Sequence, residues 1–355
     1  MNSREIRSIT GLRAVAALGV YLNHFGNPAW FPNRLSNIQA NGGFAVPFFF
    51  VLSGFVLALA YDGNTIDVRT FYLNRFARIG PTYLVALFIA ASYVSLSGFT
   101  FDPVFLVHLF GLQAWFPTSD SGFAFNSPGW TISVEIFFYA LFPILFTLFN
   151  SRQLLFRKWQ FIVFLGTSVS VLPFLVHIYG LGEIRGLGES YFWPYPLPFH
   201  YLGLFILGIG GFKARDSFRK VLPPKFLGAL VCDITLIACA LLLFFINFKD
   251  PTNPQFAIAS QFWLLGIPFT LSMTVLSVVP FSPLSRLLGS NIFWFAGKIS
   301  MVFYLLHVPI TWWIYKCFPS VTYEMRFFSV ATVAILVHFL IELPANRYIK
   351  NLRRL

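Results

Sequence analysis

Residues 43–61 read GFAVPFFFVLSGFVLALAY, a run of nineteen positions without one charged side chain. As an α-helix such a run rises about 28 Å, close to the ~30 Å hydrocarbon core of a bilayer, so it is long enough to cross in one piece. Comparable runs lie near 9–27, 79–97, 130–149, 160–179, 197–213, 226–247, 257–279, 293–316 and 325–345. The expected fold is therefore an all-α integral membrane protein: about ten transmembrane helices in one bundle, with 1–355 as a single transmembrane domain and no appended soluble domain. Composition agrees, because 57% of residues are hydrophobic and 11% charged, where a soluble domain carries about 25% charged residues. Lipid is the solvent this chain is built for.

Loop charges give the orientation. Arg4 and Arg7 precede the first run, Arg69, Arg75 and Arg78 precede the third, and Arg152, Arg157 and Lys158 follow the fourth. Lys213, Arg215, Arg219, Lys220 and Lys225 follow the sixth, Arg286 the eighth, and Arg347, Lys350, Arg353 and Arg354 the tenth. Ten crossings put all these clusters on the cytoplasmic side, together with both termini, as the positive-inside rule requires. Residues 103–116 form a shorter apolar run carrying His108 and Gln113. Counting it as a crossing would move the later clusters outside, so a re-entrant or interfacial segment is expected there. Insertion explains the net charge of +12, and no nucleic-acid partner is expected. Arg13 interrupts the apolar part of the N-terminus and no small-x-small cleavage site follows, so the first run reads as a retained span. Cys232, Cys239 and Cys317 lie in or beside apolar runs without ligand spacing, and no metal is expected.

Polar groups inside such runs are costly and suggest function. Arg13 and His24 stand eleven residues apart, which on a helix places them within ~20° of one face and ~16 Å apart along it. They would line the inner and outer mouths of one interior path; snorkelling of Arg13 and a polar-rim hydrogen bond for His24 account for the same pair. The stretch from Asn126 to Pro143, NSPGWTISVEIFFYALFP, opens the fourth run with Trp130, Ser133 and Glu135, a carboxylate level with His24. Helix N-terminus electrostatics offers the plainer reading of Glu135. Arg75 and Arg78, one turn apart in NRFARIGP, suit both topology and, with Arg13, a phosphate or pyrophosphate group at the inner mouth. His307 in MVFYLLHVPI reads as a satisfied interior histidine or a site residue. Asp233 and Glu342 are expected to pair with inner arginines.

In their order and spacing these elements resemble the acyltransferase-3 family of membrane proteins, which includes bacterial O-antigen and exopolysaccharide O-acetyltransferases. Arg13 and His24 match its first-span pattern, the Ser-Gly of FFFVLSGFVLALAY its second span, and Arg75 and Arg78 its Arg-x-x-Arg. Trp130, Ser133 and Glu135 match its Trp-x-x-Ser-x-Glu, and Tyr304, Leu305 and His307 its Tyr-Leu-x-His. The segment PLPFHYLGLFILG departs, with His200 and Leu204-Phe205 where the family often has an Arg and a Glu-Phe pair. The resemblance implies an acyl-CoA donor, acetyl-CoA in the typical case, taken at the cytoplasmic face of the inner membrane. It implies a sugar or glycolipid hydroxyl in a cell-envelope or exported glycan as acceptor. Some members carry a C-terminal extracytoplasmic domain; none is expected here, so a second transfer step would call on a separate extracytoplasmic partner protein.

The mechanism expected has Arg13, Arg75 and Arg78 on the CoA phosphates and His24 as general base on the acceptor hydroxyl, with Glu135 orienting its ring. An acyl-histidine intermediate is the other route. Ser133, without an evident His neighbour, is expected to hydrogen-bond rather than attack, and Tyr191, Trp193, Tyr195 and His200 are aromatic candidates for acceptor contacts. A multi-span transporter or flippase of a glycan, lipid or small anion would share the spans and interior charges, and a sensor would share the architecture. Consumption of acyl-CoA separates the first class from the other two.

Overall fold

The apolar runs fold as helices in the computed structural model, which describes residues 5–31, 36–96, 103–116, 122–151, 155, 158–178, 197–222, 226–245 and 264–351. In chain order they are α1 (Arg7–Phe25), α2 (Ser36–Ala40), α3 (Ala45–Tyr61), α4 (Val68–Ser95), α5 (Pro103–Leu109), α6 (Trp130–Phe149) and α7 (Trp159–Ile178). There follow α8 (Pro198–Val221), α9 (Phe226–Phe245), α10 (Gly266–Val278), α11 (Pro283–Leu288), α12 (Asn291–Cys317) and α13 (Tyr323–Val337). A π-helical turn, His338–Glu342, leads into α14 (Leu343–Asn351). Among the described residues there is no strand. Among the described residues each expected run contains a helix, and five helical stretches, Gly42–Tyr61, Val68–Ser95, Ser127–Phe149, Asn291–Cys317 and Tyr323–Asn351, rather than the expected ten, are long and apolar enough to cross a membrane. Tyr191, Trp193 and Tyr195 lie outside the described residues, and His200 is buried in α8.

The segment 103–116 is not a crossing helix. α5 has seven residues, which rise about 10 Å, a third of the hydrocarbon core. Gly111, at φ 65°, turns the chain after it, a left-handed conformation that glycine adopts without Cβ strain.

The third span begins earlier than expected. Asp67 caps α4 by accepting a hydrogen bond from Thr70 N at 3.2 Å, so Arg75 and Arg78 ride on the helix rather than in a loop before it. Pro81, near the start of the expected run 79–97, does not open the helix. It sits inside α4 instead, where its missing N–H frees the carbonyl four residues back, that of Ala77. Asn346 Nδ2 donates to this carbonyl at 3.1 Å. The same device recurs in α12: Pro309 frees the carbonyl of Leu305, and Asn126 Nδ2 donates to it at 2.9 Å.

The chain divides into two units, Met1–Asn64 with Ile144–Gly186 and Phe199–Lys298, and Thr65–Pro143 with Leu187–Pro198 and Ile299–Leu355. In the first, α3 and α8 cross closely. A Cβ on Gly54 would stand 2.0 Å from the carbonyl oxygen of Phe205, and one on Gly208 would stand 2.0 Å from that of Val51. Backbones that approach so closely need small residues at the crossing, a familiar solution in lipid, and this accounts for the Ser-Gly of the second span. Glu5 fastens the N-terminus by accepting from Thr10 Oγ1 and Trp294 Nε1, both at 2.9 Å, and from Lys298 Nζ at 2.8 Å. Burial alone would raise the Glu5 carboxyl; the hydrogen bonds from Lys298, Thr10 and Trp294 and the Lys298 charge outweigh it and hold the group below its ordinary 4.5. Asp233 departs from expectation: it accepts from the backbone N–H of Leu284 at 3.3 Å, in the first turn of α11.

In the second unit a buried polar network holds α5 and the start of α6. Tyr83 donates to the His108 carbonyl. Gln113 Nε2 donates to Gly129 O at 2.7 Å. At the other end of α12, Arg326 of α13 lies over the Tyr315 ring at 4.0 Å and donates to its hydroxyl at 2.5 Å, closing the turn between the two helices.

Candidate active site

In the first unit, α1 runs unbroken from Arg7 to Phe25, so Arg13 and His24 do share one helix. Arg13 is half-buried and His24 is exposed in the last turn. The residue beside it, Asn23, donates to the carbonyls of Gln39 and Ala40 at 2.9 and 3.0 Å, and Gln39 Nε2 returns a bond to Gly26 O at 2.8 Å. This reciprocal clasp fixes the end of α1 and with it the position of His24. Motif reading did not single out Asn23; its signal was an amide in the last turn of a span.

The remaining candidates stand in the second unit. Arg78 donates to Glu342 Oε1 at 2.9 Å, and the other carboxylate oxygen meets His338 Nδ1 at 2.5 Å. Glu342 is 1% exposed and Arg78 29%, so the carboxylate is sealed while the guanidinium keeps open N–H groups. The π-helical turn that presents His338 and Glu342 inserts a residue into the helical register, a feature frequent at functional sites. The expected pairing of Glu342 with an inner arginine is thus met by Arg78.

Arg75, one turn earlier on α4, is held differently. Its guanidinium carbon lies 5.9 Å from the Phe71 ring and 5.7 Å from the Tyr139 ring, its buried Nε has no hydrogen-bond partner, and among the described residues no carboxylate pairs with it. Ring faces hold a cation without cancelling its charge. The result is a partly buried pair of arginines, one balanced and one not.

The Trp-Ser-Glu stretch and the Tyr-Leu-x-His stretch are brought together by Asn126. Its amide reaches the Leu305 carbonyl, between Tyr304 and His307 in sequence, while Trp130, Ser133 and Glu135 follow on α6. Trp130 and Ser133 are buried and Glu135 is half-buried in the second turn. Ser133 Oγ accepts from the backbone N–H of Ala114 at 3.3 Å. His307 is 1% exposed; its Nδ1 donates to the Tyr304 carbonyl at 2.5 Å, and the two rings lie 5.7 Å apart. Asn126 and Asn346 escaped sequence reading, although Pro81 and Pro309 each announced a carbonyl in need of a donor. Among the described residues no group of His, Cys, Asp and Glu is arranged to hold a metal ion.

A family described as an acyltransferase domain matches residues 6–343. Among curated relatives, Acyltransferase MdmB of Streptomyces mycarofaciens is 29% identical over 328 residues, covering 87% of this chain and 80% of the relative. A putative O-acetyltransferase of Staphylococcus aureus strain COL, SACOL0978, is 24% identical over 97% of this chain. O-acetyltransferase OatA of S. aureus strain NCTC 8325 is 23% identical over 97% of the chain. The chain spans 58% of the length of these two staphylococcal proteins. No solved structure matches.

Proposed function

The chain belongs to the acyltransferase-3 family, and from that premise we propose that it is a membrane-embedded O-acyltransferase moving an acetyl group from acetyl-CoA to a sugar hydroxyl of a cell-envelope or exported glycan. The observation that carries this reading is the extent of the match: residues 6–343 include every candidate from Arg13 to His307. The names of the staphylococcal relatives support an acetyl donor and an oxygen acceptor. In this reading the protein is integral to the cytoplasmic membrane with both termini cytoplasmic. Arg13, Arg75 and Arg78 hold the donor's phosphates; Arg75 suits that task because its charge is supported by ring faces and left uncancelled.

His24 is the general base and Glu135 the second catalytic residue. Neutral His24 takes the proton of the acceptor hydroxyl as its oxygen attacks the thioester carbonyl. The carbon–sulfur bond breaks, an ester forms, and the proton passes to the departing CoA sulfur. No metal enters these steps.

The test is CoA thiol release from acetyl-CoA by the purified protein, with a glycan extract of the cell envelope as acceptor, comparing wild type with His24→Ala. Acceptor-dependent release is expected to fall at least a hundredfold in the variant, within the range of general-base catalysis. Equal release by both proteins would remove His24 from its role. No release with any acyl donor and acceptor would turn the reading toward transport.

A further inference from the structure

We propose that Lys350 is a third cationic contact for the donor's phosphates, completing a cradle with Arg75 and Arg78; this rests on the reading of the donor as acyl-CoA.

Three residues of the C-terminal segment, Glu342, Asn346 and Lys350, recur every four positions and so share one helical stripe. The first two are pinned to α4. Glu342 takes the Arg78 guanidinium at 2.9 Å, and Asn346 donates to the carbonyl of Ala77, the residue directly before Arg78, at 3.1 Å. The partners of the stripe step back along α4 from Arg78 to Ala77, so Lys350, exposed one turn further along it, falls toward the part of α4 where Arg75 stands. A lysine at this position adds a cation to a stripe whose carboxylate already serves Arg78.

Among Arg75, Arg78, Lys350 and Glu342, three cations stand with one carboxylate, a surplus of two positive charges. Like charges held together in a partly desolvated place oppose folding. The arrangement is stabilised when a polyanion binds, and a pyrophosphate with a nearby phosphate monoester is the polyanion that a CoA thioester brings. Arginine and lysine divide the work, Arg75 and Arg78 as planar forks and Lys350 as a mobile point charge on a flexible stem. A phosphate headgroup of an anionic lipid offers the same chemistry, and the experiment separates the two sources.

Initial rates are measured in nanodiscs of phosphatidylcholine with acetyl-CoA and with acetyl-pantetheine, which keeps the thioester and lacks the nucleotide phosphates of CoA. Lys350→Ala is expected to lower the preference for acetyl-CoA over acetyl-pantetheine about tenfold, through KM rather than kcat, and Lys350→Arg to restore most of it. An unchanged preference, or equal losses on both donors, would overturn the proposal. Arg75→Ala is the control for the underlying reading. If Arg75→Ala shifts the preference and Lys350→Ala does not, only Lys350 leaves the cradle; if neither shifts it, the phosphate site on α4 fails as well. An effect of Lys350→Ala that arises only when phosphatidylglycerol is added, and is the same for both donors, assigns Lys350 to lipid and overturns the proposal.

Discussion

Two carboxylates, Glu5 in the first unit and Glu342 in the second, each gather donors from distant parts of the chain, yet their surroundings differ in charge. Glu5 receives one ammonium, one hydroxyl and one indole N–H; Lys298 balances the carboxylate, and the neighbouring Arg7 rests on the Trp294 ring at 5.0 Å and donates to the exposed Asn291 side chain. Glu342 receives Arg78 and His338 in a neighbourhood that also contains Arg75 and Lys350, so positive charge remains after every hydrogen bond is counted. A balanced cluster fastens two segments and has no further electrostatic demand. An unbalanced one gains from an anion. The difference separates a latch from a binding site without reference to any motif.

The largest effect that would break this comparison is expected from Glu342→Ala. Removing a sealed carboxylate strands Arg78 beside Arg75 and Lys350, and breaking a buried pair in this way costs about 3–5 kcal/mol. Because Arg78 is 29% exposed, water recovers part of that, and about 2–3 kcal/mol is expected in a denaturation series in detergent. The donor KM should rise as well, since Arg78 loses its orientation. An unaltered midpoint would mean that the pair contributes little and that the surplus of charge is screened.

Next in size come the two asparagines, which do the same local work in different company. Asn126→Ala leaves the fully buried carbonyl of Leu305 without a donor, at a cost of about 2 kcal/mol. It should not change the preference between acetyl-CoA and acetyl-pantetheine. Asn346→Ala leaves the Ala77 carbonyl, as buried as that of Leu305, without its donor, but the half-buried Asn346 gives up its place to water more easily, for about 1 kcal/mol; it also loosens the stripe that carries Lys350, so the preference should fall. Equal behaviour of the two variants in the donor comparison would erase the distinction between scaffold and cradle.

These contrasts also show what the sequence carried. The helices were legible because lipid demands long apolar runs, and the non-crossing 103–116 because loop charges left no room for an eleventh span. Glu342 could be paired with an arginine in advance, since a buried carboxylate near basic residues has few alternatives. The start of α4 was not legible: Pro81 is a helix breaker in water, and its tolerance depends on Asn346, 265 positions later, which no local pattern reveals. The surroundings of Arg75 were equally hidden. NRFARIGP displays two arginines one turn apart, but only packing shows that Glu342 serves Arg78 and that Arg75 rests against Phe71 and Tyr139. Asp233 was misjudged because a helix N-terminus can serve a carboxylate as well as a cation does.

The smallest expected effect concerns the latch. The Glu5 carboxyl sits below its ordinary 4.5 because its hydrogen bonds and the Lys298 charge outweigh burial. A carboxylate with a depressed folded value contributes stability in full above its unfolded value and loses it as pH falls through the folded one. Glu5→Gln should therefore lower the unfolding midpoint at pH 7 by the equivalent of about 1 kcal/mol, in keeping with a partly exposed pair, and the gap to wild type should narrow as the pH drops below about 4.5. Phosphate-dependent behaviour should stay untouched throughout, because the one ammonium at Glu5, that of Lys298, is already paired with it. A gap that persists unchanged to pH 3 would show that shape, rather than charge, makes the latch. A change in donor preference would show that Glu5 and Glu342 belong to one electrostatic system after all.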